Sequence, residues 1–362
     1  MQPPVTWGQF DVGHAVAVAT PSVDEALREI LAHGADRGSS LGTGYQHLWS
    51  ALSTATQDGK RLRPALLEAA HQAWGGTDAR TAAVVGAAIE LLHTAFVIHD
   101  DVIDGDDHRR GRLNVSGSHA EDARARGVNP ARAQEYGAAA GILAGDLALA
   151  AALRAVATCS APARTVRRLL DLFDGALHTT AAGELADVRL SLGADEASVE
   201  ETLTMAEHKT GAYSFALPLQ AGAVLADAPD SAVAAAGRVG RLLGTAFQVV
   251  DDLHGVFGDP ARTGKSVLSD LRAGKQTSLI VHARGTDRWP DIAPYVGNPA
   301  CTDRDGRRVR ALLEDSGSHT YVRTLAAHYA HEALVLGEES GMPPGLLSWL
   351  RVTTDELLGQ AA

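Results

Sequence analysis

Apolar positions recur along this chain at the three-to-four-residue spacing of a helix face, almost from one end to the other. The pattern predicts helices over Pro64–Trp74, Thr81–Asp104, Tyr136–Cys159, Ala163–Leu192, Ser198–Leu225, Ala232–Leu253, Arg307–Leu336 and Pro344–Leu358. An earlier helix start is marked by Pro21-Ser22-Val23-Asp24-Glu25, whose acidic first turn suits the positive end of a helix dipole. Strand-like alternation is scarce. The breaks are glycine-rich or charged: Gly75-Gly76, Gly105 to Gly117 and Gly255 to Gly264. The longest candidate loop runs from Gly285 to Asp305, but helical patterns flank it on both sides, so it marks no domain boundary. Residues 1–20, with Pro3, Pro4 and no clear period, are expected to be weakly structured. The pattern predicts an all-α fold: one large antiparallel bundle over residues 21–362, with a site built in its interior.

Composition narrows the function more than the fold. A formal net charge of −12 argues against a nucleic-acid partner, so any phosphate must be met by local basic residues or by metal. The two cysteines, Cys159 and Cys301, have neither disulfide-scaffold nor zinc spacing and fit a reducing, cytoplasmic setting. The N-terminus lacks the basic-then-apolar layout of a signal peptide. The most apolar window, Thr81 to Ile98, is interrupted by Glu90 and His93 and reads as a buried core helix, with no transmembrane segment expected.

That window leads into the first of two acidic clusters, His99-Asp100-Asp101-Val102-Ile103-Asp104. The second is Asp251-Asp252-Leu253-His254-Gly255, preceded by Gln248. Asp100 and Asp104 share a helix face. Carboxylates crowded on an apolar helix repel one another unless a cation lies between them, and Mg²⁺ typically takes one or two carboxylates plus substrate phosphates. Two such clusters facing each other would cradle it. Basic segments accompany them. Lys60 and Arg63, in Gly59-Lys60-Arg61-Leu62-Arg63-Pro64, can reach a common anion near a helix start, although a solvated charged turn would look the same. His108-Arg109-Arg110-Gly111-Arg112 offers guanidinium groups for bidentate phosphate binding. His208-Lys209-Thr210-Gly211 is a weaker signal, more readily read as a surface helix end. Thr263-Gly264-Lys265 and Asp270 to Thr277, which includes Lys275, suggest a lid over phosphate.

These blocks, in this order, resemble the trans-isoprenyl diphosphate synthases of the polyprenyl synthetase family, from about Leu41 to Ile280. The resemblance implies an isoprenoid-synthase-type bundle with a central active-site cavity, a short-chain product, a cytoplasmic homodimer and three Mg²⁺ ions per site. It implies that Asp100, Asp101, Asp104, Asp251 and Asp252 hold the metal. It places Arg109, Lys209, Thr210, Gln248, Lys265 and Lys275 on the allylic diphosphate, and Lys60, Arg63, His93 and Arg110 on isopentenyl diphosphate. The implied reaction ionises the allylic C–O bond, condenses the cation with isopentenyl diphosphate and loses a proton inside an apolar, water-excluding pocket.

Two departures stand out. The second motif would be expected to end in Asp but ends in Gly255, so the turn after Asp251 offers no ligand. His254 is a poor Mg²⁺ ligand, and Asp259 lies too far along its loop to substitute. An expected Gly-Gln reads Gly183-Glu184. The resemblance also implies that the product grows beside the first motif's helix, so its length should depend on Ala95 and Phe96, about one helical turn (~5.4 Å) before Asp100. Ala95 opens the path and Phe96 partly blocks it, which predicts C20, geranylgeranyl diphosphate, with C15 or C10 as rivals. A class I terpene cyclase would not need Lys60, Arg63 and Arg110. A non-catalytic subunit of a heteromeric synthase would tend to lose an aspartate motif.

Overall fold

The structure is a computed structural model that describes residues 22–57, 59–192, 196–258 and 269–360. The described residues are all-α apart from one small hairpin. The helices are α1 (Val23–Gly38), α2 (Thr43–Ala55), α3 (Leu62–Ala73), α4 (Ala79–Asp104), α5 (Val115–Ala125), α6 (Pro130–Ala157), α7 (Ala163–Ser191), α8 (Val199–Ala206), α9 (Leu217–Leu225) and α10 (Asp230–Phe257). They continue as α11 (Ser269–Ala273), α12 (Ser278–Arg284), α13 (Trp289–Ile292), α14 (Asp303–Asp315), α15 (Ser318–Glu339) and α16 (Pro344–Gln360). Contacts group these into two compact units. The first holds the described residues up to Asp171 with Ala221–Ala228, the second Leu172–Gln220 with the described residues from Pro229.

In the first unit, α4 is the central helix. Asp78 caps its N-terminus by accepting from the Thr81 amide, and Gly105, at φ 69°, ends it. Leu52, Leu66, Leu67, Ile89, Leu91 and Leu92 are buried at 1% exposure or less and form its core. α6 lies against α4 because its contact face is stripped of side chains. A Cβ at Gly141 would come within 2.5 Å of Val102, and one at Gly145 within 2.1 Å of the His99 ring. Both α4 and α6 are long and apolar enough to cross a membrane by length and composition alone. Yet 78% of the α4 window is buried inside the protein, as a core helix would be, against 44% for α6.

In the second unit, α10 is the organiser. Val249, Val250 and Leu253 pack with Leu279, Val309, Leu313 and Val322 in one apolar cluster. On another face, Gly244 lets α10 approach the chain at Gly211, where a Cβ would stand 2.3 Å from the Gly211 Cα.

Four features differ from the periodicity, the first being that the expected helix Arg307–Leu336 divides into α14 and α15 with Gly317, at φ 76°, between them. The expected helix Ser198–Leu225 divides into α8, a π-helix over Glu207–Ala216, and α9. The Gly105–Gly117 break contains a two-stranded hairpin, His108–Arg109 with Arg112–Leu113, and the start of α5. The expected loop from Gly285 to Asp305 contains α13, a 3₁₀ turn over Ala293–Tyr295, and the start of α14.

Candidate active site

In the first unit, the acidic motif is built on the C-terminal turns of α4. Asp101 is buried at 3% exposure, Asp100 is half-buried and Asp104 is exposed. The i, i+4 pair Asp100 and Asp104 therefore shares the more open face, while Asp101 turns inward. Arg109 meets them from the hairpin. Its guanidinium donates to Asp101 at 2.8 and 2.6 Å and to Asp100 at 3.3 Å. Desolvation opposes the Arg109 charge, but the hydrogen bond and charge of Asp101, followed by Asp100 and Asp106, outweigh it and raise its pKa.

The turn makes this reach possible. Arg109 pairs with Arg112, leaving Arg110 at φ 51° and Gly111 at φ 73° as the two central residues, the signature of a type I′ turn. Arg110 is exposed and donates to the Gln57 carbonyl at 3.1 Å. In Gly59-Lys60-Arg61-Leu62-Arg63-Pro64, Lys60 is exposed and Arg63 half-buried. Arg61, which sequence reasoning passed over, organises the segment. It takes left-handed backbone at φ 53° as the residue before α3 and pairs with Asp24 at 2.8 Å and Glu90 at 3.0 Å. That explains the carboxylate in the most apolar helix. His93, one turn further along α4, is held neutral. Removal from water lowers its pKa well below the ordinary value, and Arg63, Arg109, Arg110 and Arg61 lower it further. Ala95 is fully buried and Phe96 half-buried on the same helix.

In the second unit, a polar cluster joins α7, the π-helix and α10. Thr210 donates to the Gln248 side-chain carbonyl at 2.6 Å, and Gln248 donates onward to Asp252 at 2.9 Å. Gly244, Gln248 and Asp252 repeat every fourth residue, so one face of α10 supplies both the close approach and the chemistry. Burial raises the Asp252 pKa well above the usual carboxylate range. Asp251, Asp270 and Asp187 raise it further, against the Gln248 hydrogen bond. Asp251 is exposed and Lys275 half-buried. Lys209 is not at a helix end: it lies inside the π-helix, bound to Asp187 at 2.7 Å and Glu184 at 2.9 Å. π-Helical turns often mark functional sites. Lys265 and Asp259 lie outside the described residues.

The structure answers the Gly255 departure with a residue not foreseen as its partner. A Cβ at Gly255 would stand 2.2 Å from the Asp270 carboxylate, so Asp270 occupies the volume that a side chain at 255 would need. The donors fit a hard cation: they are carboxylate oxygens, some of them open to solvent. Among the described residues, no three His, Cys, Asp or Glu side chains form a ready-made metal cluster. An ion completed by substrate phosphate and water needs none.

Comparisons with known proteins converge. The polyprenyl synthetase family model matches residues 46–291. A geranylgeranyl diphosphate synthase of Mycobacterium tuberculosis is 34% identical over 329 residues, 90% of this chain and 86% of its own length. A (2E,6E)-farnesyl diphosphate synthase of the same species is 32% identical over 291 residues, covering 79% and 75%. Among solved structures, a geranylgeranyl pyrophosphate synthase of Corynebacterium glutamicum, complexed with isoprenyl diphosphate and magnesium, superposes with a TM-score of 0.84 at 27% identity, covering 95% of this chain and 100% of that one.

Proposed function

Because the chain belongs to the polyprenyl synthetase family, we propose that it is a Mg²⁺-dependent prenyltransferase condensing isopentenyl diphosphate with allylic diphosphates. The product is a short-chain trans-prenyl diphosphate, and C20 is the length we assign. The relatives' names support a short chain, and the small buried Ala95 supports C20 over C15 or C10.

The observation that carries the reading is the cationic cluster of the first unit. Arg61, Arg63, Arg109 and Arg110 all act on His93, beside an acidic motif suited to a divalent ion. A reaction between two diphosphates needs cationic groups for each, whereas a cyclase ionises only one. In this reading Asp100 and Asp104, with Asp251, are the open metal ligands. Asp101 belongs to the same set and holds Arg109 in place. Asp252 shares the second ion once its proton leaves. Bound Mg²⁺, three ions per site, would neutralise the diphosphate and stabilise the departing pyrophosphate.

The chain's own residues do the rest. Arg109, Lys209, Thr210, Gln248, Lys265 and Lys275 bind the allylic diphosphate and orient its C–O bond. Lys60, Arg63, Arg110 and the neutral His93 hold isopentenyl diphosphate. Ala- and Leu-rich helix faces keep water from the cation. Residues 21–362 act as one cytoplasmic catalytic domain, in a homodimer. The half-open α6 face supports the dimer, with Tyr136, Ile142 and Leu143 at 47, 48 and 56% exposure.

One assay tests the reading. The purified chain is incubated with Mg²⁺, isopentenyl diphosphate and each of the C5, C10 and C15 allylic diphosphates, and the products are analysed. Longer diphosphates are expected. Hydrocarbons would identify a terpene cyclase, and no turnover a non-catalytic subunit.

A further inference from the structure

Arg61 lies among the residues read as isopentenyl diphosphate ligands, yet its guanidinium is committed to the protein. Nε and Nη2 both reach Asp24 Oδ1 at 2.8 Å, and Nη1 donates to the Thr56 carbonyl and to Glu90 Oε2, each at 3.0 Å. One fork thus ties the first turn of α1, the C-terminal end of α2 and the middle of α4 to the residue that precedes α3.

The backbone bears a cost for this. Arg61 is left-handed, at φ 53° and ψ 29°, a conformation that is unfavourable for a residue with a Cβ and persists where the surroundings over-determine it. Among the described residues three non-glycine positions have positive φ, and Arg110 is a second of them, at 51°. It belongs to the same junction. Arg110 donates to the Gln57 carbonyl at 3.1 Å, next in the chain to the Thr56 carbonyl that Arg61 caps. Lys60 and Arg63 flank Arg61, and His93 lies one turn after Glu90 on α4.

Stability does not account for the Arg61–Glu90 pair. The Glu90 side chain is 5% exposed, and its Oε1 is buried with no hydrogen-bond partner among the described residues. A buried ion pair roughly breaks even against apolar side chains of similar volume, and an orphaned oxygen worsens that balance. What the pair does supply is register: a direct bond from the Lys60–Arg63 segment to the helix that carries His93.

We propose that Arg61, held by Glu90, is a positioning residue for isopentenyl diphosphate. It fixes the spacing of Lys60, Arg63, Arg110 and His93 so that one diphosphate meets them together. The inference rests on the reading of those residues as isopentenyl diphosphate ligands.

Two variants separate register from stability and from charge. Arg61→Met with Glu90→Leu removes both charges at once, so no buried carboxylate is left unpaired, and the double variant should melt close to wild type. Arg61→Lys keeps the charge beside Glu90 but lacks the planar fork that spans Asp24, Thr56 and Glu90. Both should bind isopentenyl diphosphate more weakly by calorimetry, roughly ten- to hundredfold, as expected for ligands displaced by up to about 1 Å. KM for isopentenyl diphosphate should rise by a similar factor, while KM for the allylic diphosphate holds. Wild-type affinity in the folded double variant would overturn the proposal, because the pair would then set no register. Wild-type affinity in Arg61→Lys would overturn it too, because charge alone would suffice. An equal rise in both KM values would make the role a general structural one and reject it. If the double variant failed to fold, Arg61→Lys would decide alone. Calorimetry needs no turnover. A wild-type chain that bound isopentenyl diphosphate but formed no prenyl product would sink the proposed function while the role of Arg61 was still decided. A wild-type chain that did not bind it would sink the ligand reading and the proposal with it.

Discussion

Gly183→Ala is the smallest change that should disable the Lys209 cluster without touching a polar group. A Cβ there would stand 2.3 Å from the Lys209 nitrogen, 2.7 Å from the His208 carbonyl carbon and 2.7 Å from the Lys209 Cα. All three are backbone atoms of the π-helix, so no side chain can rotate aside. Restoring ordinary contact means moving α7 and the π-helix apart by about 1 Å. A shift of that size stretches both Lys209 ion pairs, which bridge the two elements, from 2.7 and 2.9 Å to beyond hydrogen-bonding distance. Overpacking costs about 1–3 kcal/mol, and the better helix propensity of alanine returns up to about 1 kcal/mol. The melting temperature should therefore fall by only a few degrees. Activity should suffer much more, because a displacement of about 1 Å in a positioning group costs on the order of 100-fold. Steady-state kinetics with varied allylic diphosphate, beside thermal melts, provide the check. A variant with wild-type kcat/KM would refute the claim that close approach at Gly183 sets Lys209.

Three further outcomes follow from the geometry. Ala95→Phe should shorten the product, read by chromatography, and lower stability by about 1–3 kcal/mol because the site is fully packed; an unchanged product length would remove Ala95 from the growth path. His71, His93 and His119 all have pKa values lowered from 6.5, each mainly by burial, so the unfolded chain binds protons that the folded chain refuses. Their contribution is whole above about pH 6.5 and is lost as pH falls below it; melting temperature should drop on acidification, and His119→Phe should flatten the slope. Because burial and three neighbouring carboxylates raise the Asp252 pKa, a divalent ion binding there with pyrophosphate should displace a proton, seen as buffer-dependent calorimetric heat that Asp252→Asn reduces. Equal buffer dependence in both proteins would count against it.

What was legible in the chain was whatever repeats locally. Helix periodicity gave away the all-α class, and Asp100 with Asp104 could be placed on one face because i, i+4 spacing decides it. The hairpin escaped because a two-residue strand has no period, although Arg110-Gly111 carries the glycine that a type I′ turn favours. The π-helix escaped for a different reason. Its apolar spacing passes for α, and its widened turns accompany close approaches at Gly183 and Gly244, which are distant in sequence. Arg61 looked like one more charge in a basic run, and only the fold couples it to Glu90 across 29 positions.

Gly255 sharpens that distinction into a prediction. By sequence it is a missing ligand, and restoring Asp would be the natural repair. By structure its empty side is filled by the Asp270 carboxylate, whose charge already acts on Asp252. Gly255→Asp would force a second carboxylate into the same volume, adding steric displacement and like-charge repulsion. We expect the variant to melt below wild type in the absence of divalent ions. Asp270→Asn in the same chain should recover part of that loss, because it removes the repulsion and keeps the shape. A single variant as stable as wild type, or a double variant whose losses simply add, would show that Asp270 yields freely, and Gly255 would again be a ligand lost.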